Sequence, residues 1–420
     1  MRILHVVTAF PRFPDDVITP WLVELLRRLR ATGHEVEVFT SAYRGGGNRE
    51  FEGLRIHRFR YFPSPWEDLT HDEAVPERLR RGVRYRLALP CYLLGGVFAM
   101  WRLCRRRGFD VVHVHWPMPH ALFGWVARAA CGARLVTTFY GVELRWVKSG
   151  MPWLRGLLGR AARSSDRVVA ISRYTADEIR ELAEVPITVI PYTSGLGARG
   201  AGGAPEAIGP AAGPAAAAAP AHPPPAFTVL FVGRLVARKG IPTLIEAARR
   251  LAAILPIRVR LIGDGPERAA LEAQVVRAGL TRVVEFCGRV SSEELVRAYQ
   301  QAGALVLPAV VDARGDTEGL GVVLLEAMSY GIPVVASDIG GITDIVTHER
   351  TGLLVPPGDG AALAGAIERL ARDAALRRRL ADAGRRRFLD DFSWPALVQR
   401  WESLYRAAVT SPRTGGPARG

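Results

Sequence analysis

The chain has 420 residues, 49% of them hydrophobic, with 56 Lys and Arg against 41 Asp and Glu, a formal net charge of +15. That length and apolar content exceed one compact core and suit two domains. Four scattered cysteines (Cys91, Cys104, Cys131 and Cys287) without a C-x-x-C pair fit neither a disulfide framework nor a structural zinc module, and favour a reducing compartment.

The charge is unevenly shared: through Gly195, 29 Lys and Arg face 19 acids, and beyond it 27 face 22. A basic first half favours acidic partners such as anionic lipid head groups or phosphorylated substrates. Because every cation except Lys148 and Lys239 is Arg, the bias reads as compositional, and no nucleic-acid partner is expected.

In chain order, "RILHVVTAF" is strand-like and too short for a secretory leader, so a cytoplasmic setting is expected, and the basic first half is consistent with a place at the inner face of the plasma membrane. "TPWLVELLRRLRATGH" places Trp21, Leu22, Leu25, Leu26 and Leu29 at helical spacing, and "EVEVFTS" follows as a strand, a β-α-β unit with parallel strands. Leu87 to Trp101, "LALPCYLLGGVFAMW", runs 15 residues without a charge. A bilayer span needs about 20, and Pro90 with the Gly95–Gly96 pair weakens a shorter one. The stretch therefore reads first as a buried helix; its arginine shoulders make peripheral contact with an anionic membrane the second reading. "DVVHVHW", "RLVTTFYG" and "RVVAIS" complete a first sheet.

Residues 195–226 are rich in Gly, Ala and Pro with no apolar periodicity, and read as a linker or insert. Strand-like runs then resume: "FTVLFVGRL", "RVRLIGDG", "VVEFCGRV", "GALVLPAV" and "IPVVASD". The expected organisation is a first domain over 1–194, the linker 195–226, a second domain over 227–390, a closing helix over 391–408 and a disordered tail over 409–420. The fold class is α/β: two facing doubly wound, Rossmann-like domains with a cleft between them, their ligands outside the carboxyl ends of the strands.

The chemistry-bearing stretch is "DTEGLGVVLLEAM". Gly319 and Gly321 allow a tight turn into an apolar helix whose first N–H groups lack partners, a phosphate-binding arrangement. Glu318 precedes that helix and Glu326 lies more than a turn inside it, so the two carboxylates suit separate points on one elongated ligand. An exposed acid and a helix-face acid would show the same spacing. Arg234 and Lys239, in "VGRLVARKG", follow the first strand of the second half and suit a pyrophosphate.

Four segments in order, "VGRLVARKG", "LIGDGPERAALE", "FCGRVSSEELVRAYQQAGALVLPA" and "DTEGLGVVLLEAMSYGIPVVASDIGGITDIV", with the terminal "FSWPALVQRWESLYR", resemble the donor half of the retaining nucleotide-sugar glycosyltransferases with the GT-B fold (family 4-like, group 1). The resemblance implies that Arg234 and Lys239 hold the donor diphosphate and stabilise the leaving group, and that Glu318 contacts the transferred sugar. It further implies that Gly319, Leu320, Gly321 and Val322 present backbone donors, that Glu326 binds the ribose, and that Arg289 and Val290 lie near the base. Leu320 stands where the family commonly has Phe.

In the first half "DVVHVHWP" resembles the family's strand-end histidine motif, which would set His115 toward donor sugar and acceptor. Tyr140 replaces a usual His, and Asp16 and Thr19 of the opening loop would help receive the acceptor. His113 and His115 also form an H-x-H pair, but with no third ligand apparent in the sequence a structural role is the commoner one.

The resemblance implies transfer of a hexosyl unit from a nucleotide diphosphate sugar to a glycan or lipid-linked acceptor, in surface polysaccharide or glycolipid synthesis, with no cofactor and no metal. Domain closure about the linker would bring the two halves together. The alternative is a non-catalytic nucleotide-sugar or glycan binding protein on the same scaffold. No G-x-G-x-x-G follows "RILHVV", "GDGPER" fails that pattern at its last position, and G-K-[ST] is absent, which argues against a dinucleotide enzyme and a P-loop hydrolase.

Overall fold

Eight short strands, β-branched where they are most buried, build the first sheet: β1 (Arg2–Val6), β2 (Glu35–Ser41), β3 (Glu50–Phe51), β4 (Leu54–Phe59), β5 (Val111–His115), β6 (Arg134–Phe139), β7 (Arg167–Ala170) and β8 (Ile187–Val189). In the computed structural model their order is β3-β4-β2-β1-β5-β6-β7-β8, every pairing parallel except β3 with β4. The structure describes all residues except 14, 15, 17, 48, 73, 74, 195–225 and 412–420. All but the last residue of the linker expectation over 195–226, and the tail expectation from 412 on, thus lie outside the described residues.

From β1 the chain steps outward through β2 to β4, then returns to lay β5 on the other side of β1. The strand order reverses there, and a crevice opens between the loops that leave β1 and β5. The central strands are buried on both faces, which is why β5 reads "VVHVH" with every residue enclosed.

The second unit repeats the plan with six parallel strands: β9 (Phe227–Val232), β10 (Ile257–Ile262), β11 (Val284–Gly288), β12 (Ala304–Leu307), β13 (Val334–Ser337) and β14 (Leu353–Val355). Their order is β11-β10-β9-β12-β13-β14, so the reversal falls between β9 and β12. All carboxyl ends point to one edge, where the loops after β9, β11, β12 and β13 gather.

The chain divides into one unit of Met1–Pro191 with Leu397–Gly420 and another of Tyr192–Ala396. Two expected boundaries shift. Ser194 belongs with the second unit because its hydroxyl bonds Glu326 there. The closing helix is Trp394–Thr410, longer than 391–408 at its end, so residues 409 and 410 are helix rather than tail. From Leu397 it belongs to the first unit: Leu397, Trp401, Leu404 and Tyr405 are buried at helical spacing, and Tyr405 meets His113 of β5.

The uncharged run 87–101 lies in the helix Val83–Arg106. The expectation of a buried helix needs correction: Tyr92, Gly96, Met100 and Cys104 face the core, but Leu87, Leu94, Phe98 and Trp101 are exposed. The glycine pair does not break the helix; it allows close approach. A Cβ on Gly95 would stand 2.8 Å from the Arg60 carbonyl oxygen, and one on Gly96 2.3 Å from the Phe123 ring.

Candidate active site

Lys239 sits in the short turn Ala237–Lys239 after β9, and Glu318 in the loop between β12 and the helix Val322–Ser329. These two loops flank the strand-order reversal, and they bring Lys239 Nζ to 2.6 Å from Glu318 Oε2. Both side chains are buried. Among the described residues Oε2 has no aligned hydrogen-bond donor, so the contact is chiefly one of charge. Burial pushes the Glu318 carboxyl up, but the Lys239 ammonium, with Arg238 and the Leu320 N–H, outweighs it and holds the group below its ordinary range. Glu318 is therefore a carboxylate kept anionic inside protein.

Glycines hold this loop in place. Lys239 is followed by Gly240 at φ +65, whose added Cβ would lie 1.7 Å from the Pro308 carbonyl oxygen at the end of β12. After β13, Gly341 donates its N–H to the Glu318 carbonyl (3.0 Å), and a Cβ there would come 2.0 Å from the Gly319 oxygen. The "DIGG" turn thus clamps the Glu318–Leu320 backbone. Gly321, at φ +89, caps the helix Val322–Ser329 with no acid in the first turn and no side-chain cap. Its leading N–H groups remain available to an anion, and Leu320 is buried beneath them.

Arg234, two residues beyond β9, is exposed, and its guanidinium has no partner among the described residues. Arg289 is exposed and Val290 half-buried in the loop after β11, at the same sheet edge. Glu326 lies more than a turn inside its helix, and both its oxygens are engaged: Ser194 donates to Oε1 at 2.6 Å and Tyr299 to Oε2 at 2.5 Å. Burial raises its carboxyl above the ordinary value against those two hydroxyls and Lys239. Sequence reasoning missed Ser194 and Tyr299; a tyrosine hydroxyl on an otherwise apolar helix face was the available signal for the second.

In the first unit, His115 ends β5 and is fully buried. Its Nε2 meets His5 Nδ1 at 3.0 Å and its Nδ1 meets the Tyr140 hydroxyl at 2.7 Å. Parallel pairing sets His5 opposite His113, on the face that His115 shares, so the third histidine that the sequence did not reveal comes from β1. His113 bonds Tyr405 (2.7 Å) and Thr138 (2.8 Å). Five of the six ring nitrogens are thus engaged, and only His5 Nε2 has no partner among the described residues. Burial lowers all three, His5 to about 3, so the cluster is neutral.

Tyr140 stacks on Trp116 (centroids 4.4 Å apart) and lies 5.4 Å from Trp21, an aromatic group at the carboxyl ends of β5 and β6. Its N–H donates to Glu143 Oε1 at 2.8 Å. Glu143 is buried, its Oε2 has no partner among the described residues, and burial pushes its carboxyl up to about 7. Sequence reasoning missed this acid. Asp16 is occupied: the Arg12 backbone and guanidinium donate to it, and although burial opposes them they hold it below its ordinary value. Thr19 caps the helix Pro20–Ala31 with a left-handed backbone (φ 45), and its buried hydroxyl has no partner among the described residues.

Two Rossmann-like α/β units, each with a predominantly parallel sheet and a strand-order reversal, define the GT-B class. Anabaena HepE, solved in complex with UDP and glucose, shares that fold with a TM-score of 0.64 at 18% identity, over 96% of this chain and 99% of its own. Residues 21–192 match the model for Glycosyltransferase Family 4 and residues 215–387 that for Glycosyl transferases group 1. The chain is 30% identical over 422 residues to D-inositol 3-phosphate glycosyltransferase of Streptomyces coelicolor, covering 94% of this chain and 87% of the relative. It is 29% identical over 439 residues to glycogen synthase of Mycobacterium tuberculosis, covering 99% and 97%. The chain belongs to the group 1 glycosyltransferases of the GT-B fold and is an enzyme of sugar transfer.

Proposed function

We propose that the chain moves a hexosyl unit from a nucleotide diphosphate sugar to a glycan or lipid-linked acceptor with retained anomeric configuration, at the cytoplasmic side. The observation that carries this reading is the buried Lys239–Glu318 pair beside the Gly321-capped helix, at the strand-order reversal of the second unit. A diphosphate entering there meets the Lys239 ammonium, the Arg234 guanidinium and the amides at Gly321 and Val322. Together they stabilise the charge that grows on the leaving phosphate. These groups come from the chain itself, so the reading assigns no step to a metal or cofactor.

Glu318, kept anionic by Lys239, faces the transferred sugar, where a fixed negative charge favours a reacting carbon gaining positive character. Glu326 takes ribose hydroxyls by exchanging them for its Ser194 or Tyr299 contact, and Arg289 with Val290 borders the base. On the first unit, Trp21, Trp116 and Tyr140 offer ring faces to a sugar, with the Thr19 hydroxyl beside the same strand ends. His115 acts through Tyr140, whose hydroxyl it orients, and Asp16 fixes the opening loop through Arg12. Supporting the donor class are the UDP and glucose of the HepE structure and the sugar-transferring names of the relatives.

The test is incubation with UDP-, GDP- and ADP-hexoses and a candidate glycan acceptor, with product mass and anomeric configuration read by mass spectrometry and NMR. Glu318→Ala and Lys239→Ala should each lower transfer by about a hundredfold or more while the chain stays folded. Near-native turnover in both variants, or an inverted product, rejects the reading.

A further inference from the structure

The helix Val83–Arg106 has two apolar faces. One closes the core of the first unit through Tyr92, Gly96, Met100 and Cys104. The other carries Val83, Leu87, Pro90, Leu94, Phe98 and Trp101, spaced by three or four residues so that they form one stripe. Exposures of 66% at Val83, 60% at Leu87, 71% at Leu94, 61% at Phe98 and 49% at Trp101 leave this stripe open along its length. At 1.5 Å per residue it runs about 27 Å. An apolar patch of that extent on an otherwise solvated unit marks an interaction surface.

The charges around it identify the partner. No charged residue occurs from Leu87 to Trp101, and the whole helix holds no acid. Exposed Arg80, Arg81 and Arg86 lie at one end, and Arg102, Arg105 and Arg106 at the other. An apolar stripe with a cluster of guanidiniums at each end matches acyl chains below and anionic head groups around.

We propose that this face docks the protein onto an anionic phospholipid bilayer, with the helix lying in the plane of the interface. Length and composition alone would let the segment cross a membrane, but the opposite face rules out that use in the folded protein. Gly96 is pressed against Phe123 and Gly95 against the Arg60 carbonyl, so spanning would strip the helix from the core of its own unit. A protein partner, including a second copy of this chain, would have to supply acids at both ends of a dry centre. A bilayer surface supplies both at once. Trp101, half-exposed at the junction of stripe and arginines, suits the head-group boundary. This inference stands on the first unit alone and does not depend on the donor site.

The test is flotation of the full chain with vesicles of phosphatidylcholine alone or with about one-third phosphatidylglycerol. Binding to the anionic vesicles should exceed binding to the neutral ones by about tenfold or more and weaken as salt is added. The double variant Leu94→Ser, Phe98→Ser should lose about tenfold of that binding with unchanged melting and unchanged nucleotide binding, since both side chains are already exposed. Three results would overturn the proposal: no binding of the native chain to anionic vesicles, equal binding by the double variant, or a native dimer that the double variant dissociates while vesicles do not compete with it.

Discussion

Lys239→Ala leaves the Glu318 carboxylate buried with only Arg238 and the Leu320 N–H still favouring its charge. Truncating one partner of a buried ion pair costs about 3–5 kcal/mol, because a lone charge remains in a poorly polarisable site. Glu318→Ala strands the ammonium in the same way. The double variant strands neither, so the two losses should fall short of additivity by about 2 kcal/mol. Urea titration of the four proteins measures this directly.

The pH dependence supplies a second readout. In the native chain the folded Glu318 carboxyl lies below its ordinary 4.5. Its contribution to stability is therefore complete above 4.5 and is lost as pH falls through the folded value. In Lys239→Ala, burial prevails and the carboxyl rises above 4.5; the folded state then holds its proton longer than the unfolded chain, and stability falls as pH rises through that window. Additivity of the two single variants within about 0.5 kcal/mol, with an unchanged pH slope, would refute the reasoning.

Glu143 carries the opposite sign already in the native chain. With its carboxyl raised to about 7 by burial, the folded protein keeps a proton that the unfolded chain releases from 4.5 upward, so stability should drop across that window. The size is on the order of 3 kcal/mol, and Glu143→Gln should flatten the slope in chemical denaturation measured near its two ends; an unaltered slope contradicts the assignment. Gly341→Ala places a Cβ against the Gly319 oxygen, a backbone atom that cannot swing aside. The displaced Glu318 loop should cost about 1–3 kcal/mol of stability and about tenfold to a hundredfold in transfer. Native melting and native turnover in that variant would show that the clamp does not set the loop.

The loops at the carboxyl edge of the second sheet were legible because each is a contiguous segment in which a strand runs into its own turn: Arg234 and Lys239 after β9, Arg289 after β11, and Glu318 to Gly321 after β12, with Val322 opening the helix. Parallel pairing then carries all of them to one edge. The histidine cluster was not legible, because His5, His113, Thr138 and Tyr405 come from four elements, and only the pairing of β5 with β1 and β6 and the packing of the helix Trp394–Thr410 join them. The β3–β4 hairpin escaped for a local reason. Its tight turn is Glu52–Gly53, both at positive φ, and Glu at the first position is not the Asn or Asp that normally signals such a turn. The helix Val83–Arg106 was misjudged because an apolar run reports how much surface avoids water, not whether the chain itself covers every face.

The account rests on where the diphosphate binds, and a crystal structure of the protein soaked with the best-binding nucleoside diphosphate tests that most directly. The account predicts phosphate oxygens within hydrogen-bond reach of Arg234, Lys239 and the amides at Gly321 and Val322, with the ribose at Glu326. Phosphates held elsewhere on the chain, with the Lys239–Glu318 pair untouched, would contradict it.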